Sequence, residues 1–79
     1  MDWQEYIHSD PDVMLGKPIV KGTRLTVEFI VGLFANGWTQ DQIFENYPTL
    51  TTDALKAIFT FIAESMYEED FYSLPIRSD

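Results

Sequence analysis

At 79 residues and 9.2 kDa the chain makes one domain, with no room for a catalytic domain beside a binding domain. Thirteen acids against five bases leave a net charge of −8, which disfavours non-specific contact with nucleic acid or an anionic membrane, and zero cysteines remove disulfide scaffolds, thiolate zinc sites and cysteine nucleophiles. A domain this short buries only about 60% of its unfolded-chain surface, yet it is 46% hydrophobic with 2 Trp, 4 Tyr and 6 Phe, so self-association is expected.

The opening residues, Met1-Asp-Trp-Gln-Glu, are acidic and lack an apolar core, so no signal peptide is expected. No apolar run approaches the roughly 18 residues of a membrane span, and the expected compartment is the cytoplasm. The single histidine lies in His8-Ser-Asp-Pro-Asp12. A metal site or a Ser/His pair can be drawn there, but no second histidine, glycine-rich loop or oxyanion element supports either, and Asp10-Pro-Asp12 is ordinary turn chemistry. Neither catalysis nor a cofactor or metal is expected.

Charge is unevenly placed. Residues 1–16 hold four acids and no Lys or Arg; residues 17–24 hold Lys17, Lys21 and Arg24 with no acid; residues 25–76 hold eight acids against Lys56 alone. Read by itself, the basic stretch is a solvated hairpin whose cations satisfy surrounding acids. Its residues 18–27, Pro-Ile-Val-Lys-Gly-Thr-Arg-Leu-Thr-Val, are β-branched and interrupted by Gly22, the pattern of two short strands or a hairpin. In an extended chain Lys17, Ile19 and Lys21 share one face and Val20 the other.

From Val27 the period becomes helical. Val27, Ile30, Val31 and Phe34 fall at i, i+3, i+4 and i+7, with Thr26 as N-cap, Glu28 at the positive end and Asn36-Gly37 as a left-handed stop. Phe29 and Leu33 lie on another side of this helix, 27–36. Thr39-Gln-Asp-Gln42 has capping-box spacing and starts a second helix, 39–47, with Ile43, Phe44 and Tyr47 apolar, Trp38 as a hydrophobic staple and Pro48 as terminator. Thr51 or Thr52 caps a third helix, 52–67, with Asp53 in its first turn. Leu55, Ile58/Phe59, Ile62 and Met66 make one apolar stripe and Ala54, Ala57 and Phe61 a second. A helix apolar on two sides is buried on two sides, most simply against a second copy, so Phe29, Leu33, Phe61, Ile62 and Met66 are the candidate dimer face. Glu68, Glu69 and Asp70 oppose the helix dipole, and fraying is expected there. Residues 71–79 contain Pro75 and are expected to form an extended or flexible tail.

The string Gly16-Lys-Pro-Ile-Val-Lys-Gly-Thr-Arg24, then Val27, Gly37 and Tyr47-Pro-Thr-Leu-Thr51, resembles the pattern of domain-of-unknown-function family 433: GKPxIxGTR, a helix, a glycine, YPxLT and a final helix. The resemblance spans about residues 7–67. It implies a homeodomain-like helix-turn-helix fold and, for many members, the antitoxin half of a type II toxin–antitoxin pair whose toxin is a PIN-like ribonuclease. One departure is that Thr52-Asp53-Ala54 keeps a single acid where the family often carries an acidic pair.

Helices 39–47 and 52–67 have helix-turn-helix proportions, which would aim Thr51, Thr52, Asp53 and Lys56 at base edges. One base among them is thin, because Lys and Arg supply most DNA affinity. Lys17, Lys21 and Arg24 are the better DNA candidates, paired by a dimer into a β-ribbon or phosphate clamps, with Thr52 and Lys56 secondary. Gly22 supplies a backbone conformation that other residues resist. Arg24 is expected to form an internal ion pair, with a partner's phosphate as the alternative. In the tail, Phe71, Tyr72 and Arg77 are candidate toxin contacts, the arginine competing with metal for a nuclease's carboxylates; the bland alternative is an ordinary chain end.

The expectation is therefore an all-α, three-helix homeodomain-like bundle with a short N-terminal β element, one domain over 1–79 with its core in about 7–67, and a homodimer. Its expected role is neutralising a PIN-like toxin by stoichiometric binding and binding operator DNA. The alternatives are a dimeric DNA-binding regulator without a toxin and an adaptor that binds no DNA.

Overall fold

The computed structural model describes residues 1–68. Asp2 caps a 3-10 turn at Trp3–Glu5, its carboxylate accepting the Gln4 N–H at 3.0 Å. The chain then enters β1 (Ile7–His8), which pairs antiparallel with β2 (Ile19–Val20) in the register Ile7↔Val20 and His8↔Ile19. Residues 18–27 do double back: the Val20 N–H donates to the Leu25 carbonyl at 3.0 Å, the Val27 N–H to that of Pro18 at 2.9 Å, and Ile19 bridges Thr26. The returning arm supplies a single bridge rather than a full strand, and β2 finds its strand partner in β1. Ile19 and Val20, expected on opposite faces, are both buried, so this ribbon is covered on both sides. Gly22 sits at φ +81° in the turn closed by the Thr23 N–H on the Val20 carbonyl at 3.1 Å, at the third turn position, where positive φ favours glycine.

Three helices follow: α1 (Val27–Ala35), α2 (Gln40–Asn46) and α3 (Thr52–Glu68). Their ends lie where the local chemistry places them. Thr26 Oγ1 accepts from the Phe29 N–H at 3.0 Å, and Thr51 Oγ1 from that of Ala54 at 3.0 Å. Thr39 and Gln42 make a reciprocal capping box, the Thr39 N–H donating to Gln42 Oε1 at 2.8 Å and the Gln42 N–H to Thr39 Oγ1 at 3.2 Å. At the end of α1, Gly37 at φ +92° donates to the Phe34 carbonyl at 3.0 Å and Trp38 donates to that of Leu33 at 3.0 Å. This is the paired bonding of a Schellman stop.

The result is a mostly-α, three-helix domain with a two-stranded antiparallel element. Its core cluster joins Ile7 of β1, Val20 of β2, Ile30 of α1, Ile43 of α2 and Ile58 of α3, and Ile19 of β2 is fully buried as well. Leu50 in the α2–α3 connection is also buried, and Trp38 packs against the same cluster.

Two expectations about apolar faces change. Leu33, placed on an intermolecular face, is buried in the chain's own core. The two stripes of α3 merge: Ala54, Leu55, Ala57 and Ile58 are all buried, and the N-terminal arm covers the far side. Trp3 meets Phe61 edge to face, ring centroids 4.7 Å apart, and its Nε1 donates to Glu64 Oε1 at 3.1 Å. Phe61 is thereby partly covered within the chain.

Candidate interaction surface

The basic stretch is displayed on the surface. Lys17, Lys21 and Arg24 are all exposed. Lys17 Nζ pairs with Glu28 Oε2 at 3.3 Å, a solvent-exposed contact of the kind that contributes about 0–1 kcal/mol. Arg24 forms no ion pair among the described residues, against the expected internal pairing; nor does Lys21. Two of the three cations thus have no ion-pair partner among the described residues of a strongly acidic chain.

Arg24 stands between two hollows. One, of about 330 Å³, is lined by Met14, Arg24, Leu25, Thr26 and Phe29. The other, of about 400 Å³, is lined by Asp12, Val13, Met14 and Arg24. A candidate DNA residue and a candidate dimer residue, Arg24 and Phe29, therefore share one wall. Phe29 is 43% exposed and packs against Tyr47 at 5.7 Å between ring centroids.

The segment between β1 and β2 holds a feature that periodicity does not announce. Asp10 forms the expected turn, its carboxylate accepting from the Asp12 N–H at 2.9 Å and its carbonyl from that of Val13 at 2.9 Å. The chain then makes a tight left-handed turn at Met14–Gly16, with φ of +51°, +59° and +78° in succession. Leu15 at its tip is 93% exposed. The available signal was the apolar triplet Val13-Met14-Leu15 between Asp12 and Gly16, where turn chemistry favours Gly, Asn, Asp or Ser.

Phe61 and Ile62 come together with Pro18, Val27, Glu28 and Val31 in an apolar groove of about 360 Å³ between α1 and α3. Met66 is exposed farther along α3. Thr52 and Lys56 are exposed on the first turns of α3 with Asp53 beside them, while α2 presents Asp41 and Glu45 to solvent. α2 and the first turns of α3 thus offer more acid than base. Phe71, Tyr72 and Arg77 lie outside the described residues, as do Glu69 and Asp70. No group of three or more His, Cys, Asp or Glu side chains suited to a metal ion occurs among the described residues, and none of their helices is long and apolar enough to cross a membrane.

The profile of a family of proteins of unknown function, DUF433, matches residues 7–62, from the first residue of β1 to the groove residue Ile62. The chain belongs to DUF433. A crystal structure of a DUF433 member from Anabaena variabilis ATCC 29413 aligns with a TM-score of 0.74 at 26% identity, over 87% of this chain and 68% of that one. The uncharacterized protein y4eO of Sinorhizobium fredii (strain NBRC 101917 / NGR234) is 30% identical over 53 residues, which is 67% of this chain and 24% of that relative. The chain thus spans about a quarter of y4eO.

Proposed function

We propose that this DUF433 protein is a stoichiometric protein-binding module of the antitoxin type, which neutralises a partner by covering its surface. The observation that carries the protein-binding half is the chemistry of the exposed side chains. Leu15, Met14, Phe29, Phe59 and Met66 present apolar surface, while the helix-turn-helix pair presents Asp41, Glu45 and Asp53 against Lys56. Apolar side chains buried at an interface stabilise protein association. A recognition helix with one cation beside an acid is a poor phosphate binder. That the partner is a PIN-like ribonuclease rests on the family resemblance. Co-expression with the product of an adjacent gene tests the reading: a stable complex with suppressed ribonuclease activity is expected, and free, fully active nuclease in the presence of excess chain overturns it.

A second reading, operator binding by a homodimer, is favoured by the exposed Lys21 and Arg24. It expects salt-dependent binding of upstream DNA that is lost in Lys21→Ala/Arg24→Ala and retained in Lys56→Ala.

A further inference from the structure

Leu15 combines two unfavourable features. Its φ of +59° and ψ of 29° are left-handed values that cost an L-residue about 1–2 kcal/mol, and 93% of the residue is exposed. Glycine or asparagine relieves both. Met14 repeats the pattern at φ +51° and 50% exposure. The turn is nonetheless tightly bonded, with the Gly16 N–H on the Val13 carbonyl at 3.0 Å and the Lys17 N–H on that of Met14 at 3.1 Å. Residues held in such sparsely populated backbone regions cluster at active sites, ligand clamps and switch regions.

The surroundings define what suits this tip. Met14 and Arg24 wall both hollows, and Phe29 supplies an aromatic edge. Arg24 and Lys21 lack a carboxylate partner among the described residues; Glu28 is engaged by Lys17, and Asp12, although it lines the second hollow, is not ion-paired with Arg24. The amino end of α1, whose cap Thr26 lines the first hollow, adds partial positive charge. The first hollow is therefore lined by Met14, Leu25 and Phe29 with the unpaired Arg24 guanidinium as its one charged group, in a chain of net charge −8.

We propose that the turn Met14–Gly16, with Arg24 and Phe29, docks an acidic peptide segment of a partner protein, one large apolar side chain seated in the hollow that Met14, Leu25 and Phe29 line and an adjacent carboxylate on the Arg24 guanidinium. A carboxylate matches the guanidinium fork in a bidentate contact. A nucleic acid backbone offers no apolar side chain to Met14 and Phe29, so it leaves the apolar wall of the hollow unfilled. The inference rests on the protein-binding reading and adds the chemistry of the partner.

The test pans a random dodecamer peptide display library against the full-length chain and measures the consensus peptide in solution. The expected consensus places Asp or Glu beside Phe, Leu or Met. Its affinity falls about tenfold or more in Leu15→Asn and in Arg24→Ala and is unchanged in Lys56→Ala, with circular dichroism verifying that each variant is folded. In Arg24→Glu, binding is recovered by the peptide whose acids are changed to lysine. A missing, basic or uncharged consensus overturns the proposal, as does equal binding by Leu15→Asn, or displacement of the peptide by a second copy of the chain or by a DNA duplex. Capture of the adjacent-gene product by the Leu15→Asn/Arg24→Ala chain overturns this site and leaves the antitoxin reading standing.

Discussion

The indole of Trp3 stands edge-on to the ring of Phe61, with centroids 4.7 Å apart and an interplanar angle of 66°, while its Nε1 is held by Glu64 at 3.1 Å. This contact ties the amino-terminal arm to the distal half of α3 and covers an apolar side chain that otherwise faces water. Edge-to-face aromatic pairs contribute about 0.5–1.5 kcal/mol beyond the area they bury.

Trp3→Ala should therefore destabilise the domain by about 2 kcal/mol, below the 3–5 kcal/mol of a fully buried aromatic because Trp3 is half-buried. Urea denaturation measures it. Phe61→Ala should cost a similar amount, and the double variant less than their sum. The same Trp3→Ala chain, with Phe61 uncovered, should self-associate more strongly in sedimentation velocity. An unchanged mass would mean that the arm's covering of Phe61 has no bearing on assembly.

The capping box at the start of α2 makes a second prediction. Thr39→Ala removes the acceptor of the Gln42 N–H and should cost about 1 kcal/mol. Gln42→Ala should cost less, because the exposed Thr39 N–H is then free to bond water. Thermal unfolding of the two variants gives the order; equal melting points would remove the reciprocal bonding from the account of how α2 begins.

At the left-handed turn, Leu15→Asn should raise stability by about 0.5–1 kcal/mol, since asparagine tolerates these dihedral angles and little buried contact is lost at 93% exposure. A fall in denaturation midpoint would show that Leu15 is held by its own fold. In that case its exposure would not point outward to a partner.

Net charge sets a fourth expectation. With 13 acids against five bases, the folded chain repels itself, and screening relieves that repulsion. Raising ionic strength from about 0.01 M to about 0.15 M shortens the screening length from ~30 Å to ~8 Å, so the melting temperature at neutral pH should rise. The Lys17–Glu28 pair acts in the opposite direction but is exposed and weak; Lys17→Ala should shift stability by no more than about 0.5 kcal/mol. A melting temperature that falls with salt would mean attractive pairs outweigh the repulsion.

The legible features are those whose cause is local. Thr26, Thr39 and Thr51 each cap a helix from a hydroxyl that accepts an N–H three residues on, and Gly37 stops α1 through its own backbone conformation. The GKPxIxGTR-like string, the central glycine and YPxLT were enough to place the chain in its family. Less of the candidate surface could be read. The triplet Val13-Met14-Leu15 carries none of the residues that ordinarily announce a left-handed turn, and the surplus of carboxylates suggested an ion pair for Arg24 that is not formed among the described residues.

Helix ends, turn positions and the uneven charge follow from the sequence itself, because the interactions that set them span a few neighbouring residues and need no knowledge of the rest of the chain. Tertiary structure alone decided which apolar faces are spent within the chain. Periodicity shows that α3 is apolar on two sides, but it cannot show that Trp3, 61 residues before Glu64, folds back over one of them. Burial is a property of what lies opposite a side chain, and for Phe61, Leu33 and Leu15 that was settled by the path of the whole chain.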